Sequence, residues 1–317
     1  MFVYLILFHC WSVGCNPTEI IKPLFFLLKL CVKVGRLGAT QQKIVKLAIL
    51  SSQIQMLLCY NTLEVSFMYQ NRLQEIDELK AKINSFRPLT ENVLKQIKAY
   101  FKISFTYTSN AIEGNTLSLS ETKIIIEDGI TIGGKPVKDH LEVIGQANAY
   151  DLLFDIVQNY DDITEEVILK LHHILYNNIE ESKAGKYRDC NVLITGSEYE
   201  LPKYNEIPQL MKKFCAEIPS KKATMHPVEF SAWLHERLVS IHPFIDGNGR
   251  TARLIMNLAL LQAGYNIITI PPVVRNDYIF GLQEAQLKNN IQPFTNFISE
   301  MVLEAQKEYL RIIERLN

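Results

Sequence analysis

Twelve residues, His242-Pro-Phe-Ile-Asp-Gly-Asn-Gly-Arg-Thr-Ala-Arg253, bring together one imidazole, one carboxylate, two glycines around an asparagine and two guanidinium groups. A folded core has no use for that density of polar chemistry, so the stretch reads as an active-site loop. Gly247-Asn248-Gly249 frees the backbone to take positive φ and to present successive N–H groups, which builds a concave nest for an anion such as phosphate. Downstream, Leu254, Ile255, Leu258 and Leu261 recur at helical spacing and Gly264 closes the run, so a helix is expected to begin at the nest. Its N-terminal dipole would point at the same anion. Arg250 and Arg253 stand three apart and are expected to share a face of the first turn, both within reach of one polyphosphate. Asp246 would repel a bare phosphate; its presence makes sense if a magnesium ion lies between carboxylate and phosphates. His242 is the candidate base, able to take a proton from an attacking hydroxyl near neutral pH.

The elements that must position this loop read as helices. His226-Pro227 opens one, with Phe230, Trp233, Leu234, Leu238 and Ile241 on a core face, and this helix delivers His242. Phe244 is then a core plug beneath the loop. Earlier in the chain, helices are expected from Leu73 to about Phe86, from Glu91 onward, and from Leu119 to about Asp128 between a serine start and Gly129. Ile130 to Pro136 is a turn-rich loop. Another helix is expected from His140 to about Gln158, with Leu141, Ile144, Ala147, Ala149, Leu152 and Ile156 inward. Thr164 caps the next, which ends near Asn177; its His172 and His173 are adjacent, hence on different faces, and are read as structural and not as a metal pair. Ile207 to Ile218, Arg275 to Gln286 and Pro293 to the end complete the helical set. The one β-rich segment is residues 184–196, with Tyr199 to Pro202 as a returning strand of a small hairpin.

At the twelve-residue stretch the chain resembles the Fic (Fic/Doc) family, whose signature is H-P-F-x-D/E-G-N-G-R-x-x-R. His242, Pro243, Phe244, Asp246, Gly247, Asn248, Gly249, Arg250 and Arg253 match every fixed position. The resemblance implies an all-α Fic-fold bundle with a small β-hairpin flap, and a transferase that moves AMP from ATP to a Ser, Thr or Tyr hydroxyl of a target protein. Doc-like members, which phosphorylate, depart from this signature. By the same resemblance Asp246 holds Mg²⁺, the segment from Gly247 through Thr251 cradles the phosphates, Arg253 binds the γ-phosphate, and Val192, Leu193 and Ile194 of a 190–202 hairpin receive the target as an added strand. Tyr278 and Gln286 stand where relatives contact adenine and ribose, although Ile279 and Gln286 both depart from the usual Tyr and Asn. A second motif of the family, S/T-x-x-x-E-G/N, is met by Ser109, Glu113 and Gly114. It implies autoinhibition: a glutamate against Arg253 forms the ion pair that the γ-phosphate would otherwise make. A de-AMPylating enzyme, or a nucleotide-sensing module with little turnover, are the alternative readings.

The composition fits this reading and excludes others. Of 317 residues 48% are hydrophobic, enough for a substantial core, and the net charge of −1 lacks the basic excess that a nucleic-acid footprint needs. None of the six cysteines forms a C-x-x-C pair, so neither a zinc site nor a thioredoxin-type motif is expected. Residues 1–67 carry six Lys/Arg against two Asp/Glu, while the remainder is acidic, which marks a boundary. That hydrophobic, basic segment is read as an upstream extension or a poorly ordered arm, with a membrane anchor as the lesser alternative. Residues 68–160 are expected to form a helical region with the inhibitory motif, and 161–317 the catalytic core and C-terminal helices. A cytoplasmic location is expected, and homo-oligomerisation is left open.

Overall fold

A computed structural model describes residues 67–316. The chain divides into two compact units, 1–71 and 72–317, and the account below concerns the second; the readings made for residues 1–66 lie outside the described residues. Ten α-helices occur among the described residues: α1 (67–84), α2 (Glu91–Ile112), α3 (Leu119–Asp128), α4 (Val137–Gln158), α5 (Glu165–Tyr176), α6 (Ile207–Thr224), α7 (Pro227–Ile241), α8 (Asn248–Gln262), α9 (Arg275–Lys288) and α10 (Gln292–Leu316). No described helix is long and apolar enough to cross a membrane.

The sequence punctuates these helices with local chemistry. Thr90 and Thr164 accept backbone N–H bonds at the starts of α2 and α5, and Ser118 forms a reciprocal capping box with Glu121 on α3. Gly129 ends α3 in the left-handed conformation. The helix α8 is buried around almost its whole circumference, from Asn248 to Leu260, with only Gly249 partly exposed. A helix enclosed on all sides is the centre of its bundle. Around it pack α7, α4, α5 and α2, while α10 covers α7 and α9, and α3 lies on α2 and α4. Gly145 lets α4 and α5 cross closely, since a Cβ there would collide with the Leu175 carbonyl oxygen.

Two expectations are corrected. Ile144 is 39% exposed, because the inward face of α4 passes through Val143, Ala147, Tyr150 and Leu153 instead. The hairpin is absent: no strand occurs among the described residues, and 190–202 is an extended loop with a turn at 195–196. A two-stranded ribbon is marginal without a sheet or helix to pair with. Here the ends of the loop are drawn together by a side chain, Arg188, which donates to the carbonyls of both Cys190 and Pro202.

Candidate active site

The loop between α7 and α8 is fixed from within and from beneath. His242 ends α7 in the left-handed region at φ 52°, and Gly247 takes φ 77° immediately before α8. The Asn248 side chain accepts from Phe244 N–H and donates to Phe244 C=O, both at 2.9 Å, and so closes the turn. Thr251 Oγ1 donates back to Gly247 C=O. The side chains of Asn248 and Thr251 are thus spent on the loop itself, leaving backbone N–H groups to face a ligand. Phe244 is fully buried and stacks on His172 at 3.7 Å between ring centroids, as a plug beneath the loop.

The buried His172 is structural, as read from the sequence, but it also serves the loop. Its Nδ1 accepts Gly185 N–H at 2.9 Å, so the proton is on Nε2, which donates to Asp246 C=O at 3.1 Å. Burial pushes its pKa down to about 4, which keeps the ring neutral and that bonding pattern intact. His242 is held alike. Its Nδ1 lies 3.3 Å from Val239 C=O and donates to it, which leaves Nε2 unprotonated. Burial, against the effect of the Val239 bond, lowers its pKa to about 4.

The two arginines leave the first turn of α8 toward different protein partners. Arg250, 1% exposed, meets Glu142 of α4 at 3.1 Å and Asp246 at 3.6 Å. Its Nε and Nη1 make no directed hydrogen bond, so the Glu142 contact is one of charge alone. Arg253 turns to α2. Its Nε donates to Ser109 Oγ at 3.0 Å and its Nη2 to Ser109 C=O at 2.8 Å, while Nη2 also pairs with Glu113 Oε1 at 2.7 Å. The Glu113 carboxylate lies against Gly249, close enough that a Cβ there would strike Oε1. Gly114, at φ 95°, then turns the chain, and Asn115 and Thr116 bond Glu142 and Asp139 on α4. Ser109 and Glu113 stand four positions apart, about one helical turn, so both contacts reach the same guanidinium.

Tyr278 does not line an open base site. It is 2% exposed, and its hydroxyl accepts from Arg253 Nη1 at 3.2 Å and meets His235 Nε2 at 2.9 Å, bracing Arg253 from behind. Gln286 donates to Ser240 Oγ and is only partly buried. Val192, Leu193 and Ile194 lie on the extended loop, with Leu193 96% exposed. Asp246 has a half-exposed carboxylate whose pKa is lowered, the Arg250 guanidinium and the Gly247 N–H outweighing burial. Sequence reasoning missed Glu142, Arg188 and Lys138, whose Nζ lies 3.4 Å from Asp246 Oδ2 and 3.7 Å from Glu142. A signal existed for Glu142, an acid among the apolar positions of a helix; for Arg188 none did.

An all-α bundle whose central helix begins at a glycine nest, with a histidine on one side and a buried arginine on the other, agrees with the Fic-fold bundle that the resemblance implies. The Fic/DOC family profile matches residues 162–260, and the chain carries a domain of that family. The Protein adenylyltransferase Fic of Drosophila yakuba is 33% identical over 247 residues, 78% of this chain and 49% of the relative. Its counterpart in Nematostella vectensis is 35% identical over 250 residues, covering 78% and 57%. The chain therefore spans about half the length of the curated relatives it matches. Among solved structures, Fic-1 from C. elegans superposes with a TM-score of 0.72 at 28% identity, covering 82% of this chain and 77% of that one. A Fic domain containing signaling protein from Bacteroides thetaiotaomicron gives 0.71 at 29% identity, covering 76% and 97%.

Proposed function

We propose that this protein transfers AMP from ATP to a hydroxyl side chain of a target protein, and that Glu113 holds the reaction back. The observation that carries the reading is the 2.7 Å pair between Glu113 and Arg253 directly over Gly249: an internal carboxylate occupies the position that the nest and the helix dipole make attractive to a phosphate. The Nε of buried Arg250, which has no protein partner, fits a polyphosphate as well, since such groups ordinarily find one.

In this reading the hydroxyl oxygen attacks the α-phosphorus, a P–O bond forms, and the bond to the β-phosphate breaks with pyrophosphate as leaving group. His242 Nε2, left as the acceptor by the Nδ1 bond to Val239, takes the hydroxyl proton. Backbone N–H groups of Asn248 and Gly249 and the guanidinium of Arg250 stabilise the phosphate oxygens, and Arg253 binds the γ-phosphate once Glu113 yields. Residues here also fit a magnesium ion: the Lys138 ammonium already sits between the oxygens of Asp246 and Glu142, so the place favours a cation, and Asp246 is the hard-oxygen ligand that would hold it. When bound, the metal neutralises phosphate charge. The target segment lies along 190–202, where Val192, Leu193 and Ile194 are presented.

Intact-protein mass spectrometry after incubation with ATP, GTP, UTP or CTP and Mg²⁺ tests the reaction. The expected result is an added AMP with ATP, in wild type at a low level and in Glu113→Gly at a high one, and none when His242→Ala is introduced. Phosphate added instead of AMP, or undiminished transfer by His242→Ala, would overturn it.

A further inference from the structure

The loop proposed to receive the target and the proposed base share a buried residue that neither motif includes. We infer that Arg188 is a positioning residue that couples the two: one guanidinium clasps both ends of the 190–202 loop and the backbone of His242. Its Nη1 donates to Cys190 C=O at 2.9 Å, its Nη2 to Pro202 C=O, and its Nε to His242 C=O at 2.9 Å. The Arg188 N–H donates to Pro243 C=O at 2.9 Å, so backbone and side chain grip successive peptides of the catalytic loop.

Three features set this apart from an ordinary buried arginine. The side chain is 3% exposed, yet no carboxylate pairs with it among the described residues; all three of its acceptors are carbonyls. Buried cations are normally matched to an anion. The fork also spans three separate backbone points, which a lysine, with one nitrogen, cannot do. Finally, Arg188 meets each element at a point that its own local structure leaves weakly held. The loop has no strand ladder, and besides Arg188 it is tied down by Tyr204 N–H on Asn191 Oδ1 at 3.0 Å and by Tyr199 Oη on Ser240 C=O at a long 3.4 Å. His242 is a non-glycine residue at φ 52°, a conformation that must be imposed from outside. Arg188 imposes it at the carbonyl. A target segment that shifts the loop therefore pulls on the same guanidinium that orients the imidazole, so occupancy of the loop and alignment of the base are linked.

This inference rests on the transfer reading above, and the test separates the two. Arg188→Lys keeps the charge and loses the fork, and is made in the full chain, alone and with Glu113→Gly. Chymotrypsin digestion reports the loop through cleavage after Leu193 and Tyr199, and needs no catalysis. Arg188→Lys should speed that cleavage by about tenfold, the effect of losing charge-assisted bonds, with the melting profile by circular dichroism still cooperative. In the Glu113→Gly background it should also lower the rate constant of self-modification by about tenfold, while the KM for ATP stays within about twofold. Arg188→Gln, which also has a single donor nitrogen and in addition loses the charge, should lose at least as much in both readouts. Faster cleavage with unchanged self-modification, or the reverse, breaks the coupling, and no change in either removes the clasp. If Glu113→Gly itself transfers nothing, the transfer reading fails, and cleavage alone then decides whether Arg188 closes the loop.

Discussion

At Arg253 one guanidinium serves Ser109, Glu113 and Tyr278 at once, and the contact with Glu113 is the one a nucleotide would have to replace. A charge-assisted hydrogen bond contributes on the order of 1.5–3 kcal/mol. Glu113 is 38% exposed, which places the pair near the lower bound. Removing the carboxylate in Glu113→Gly is therefore expected to raise self-modification by about tenfold, and the gain should vanish when Arg253→Ala is added. A rate no higher than wild type, in a protein still folded by circular dichroism, would sink the inhibitory role. His242 yields a pH prediction. Its pKa is depressed to about 4, so the neutral, proton-accepting ring persists down to acid pH. The rate for Glu113→Gly should be level through neutrality and fall only as pH approaches about 4. An inflection near the ordinary histidine value of 6.5 would mean that the ring is solvated and the burial argument is wrong.

Among the helices, two glycines with similar crowding have opposite expected consequences. At Gly145 a methyl group would meet the Leu175 main chain, which cannot move without parting α4 from α5. Gly145→Ala should cost about 2–3 kcal/mol or more, read as a lowered urea midpoint. At Gly249 the obstruction is the tip of the flexible Glu113 side chain, with Arg253 Nη1 at 3.2 Å. Gly249→Ala should leave stability within about 1 kcal/mol of wild type while driving Glu113 from the nest. Equal losses for the two variants would show that Glu113 is packed as rigidly as a backbone, contrary to its place as a displaceable inhibitor.

Across the molecule, two buried imidazoles and the partly buried His242 make the fold sensitive to acid. His172 and His242 have pKa values lowered to about 4, and that of His235, wholly enclosed beside Arg253, lies well below the ordinary value, all by burial first. An unfolded histidine protonates near 6.5, so between about 6.5 and 4 the unfolded chain binds protons that the folded chain does not. Stability is full above that window and declines as pH falls through it, by up to about 3 kcal/mol per histidine. Thermal melts should show Tm dropping already between about pH 6.5 and 5, above the range where most carboxylates titrate. A level Tm there would contradict the buried, neutral assignment.

Much of this protein follows from its linear order. The bounds of α3 and α5 are set by Ser118, Gly129 and Thr164 acting on their own neighbours, so they are legible without any tertiary contact. The loop from His242 to Arg253 is legible for the same reason: nest, base and helix start are all local. Pairing of Glu113 with Arg253 could be anticipated only through the family motif, because nothing within either segment names the other. Tertiary structure alone decided what long-range packing controls. It sent Arg250 to Glu142 and Arg253 to Ser109, put Tyr278 behind Arg253, and set the phase of α4 so that Ile144 faces outward. It also closed 190–202 with a guanidinium where β-rich residues suggested a ladder, since strand pairing depends on what lies beside the segment and the nearest strong donor was Arg188.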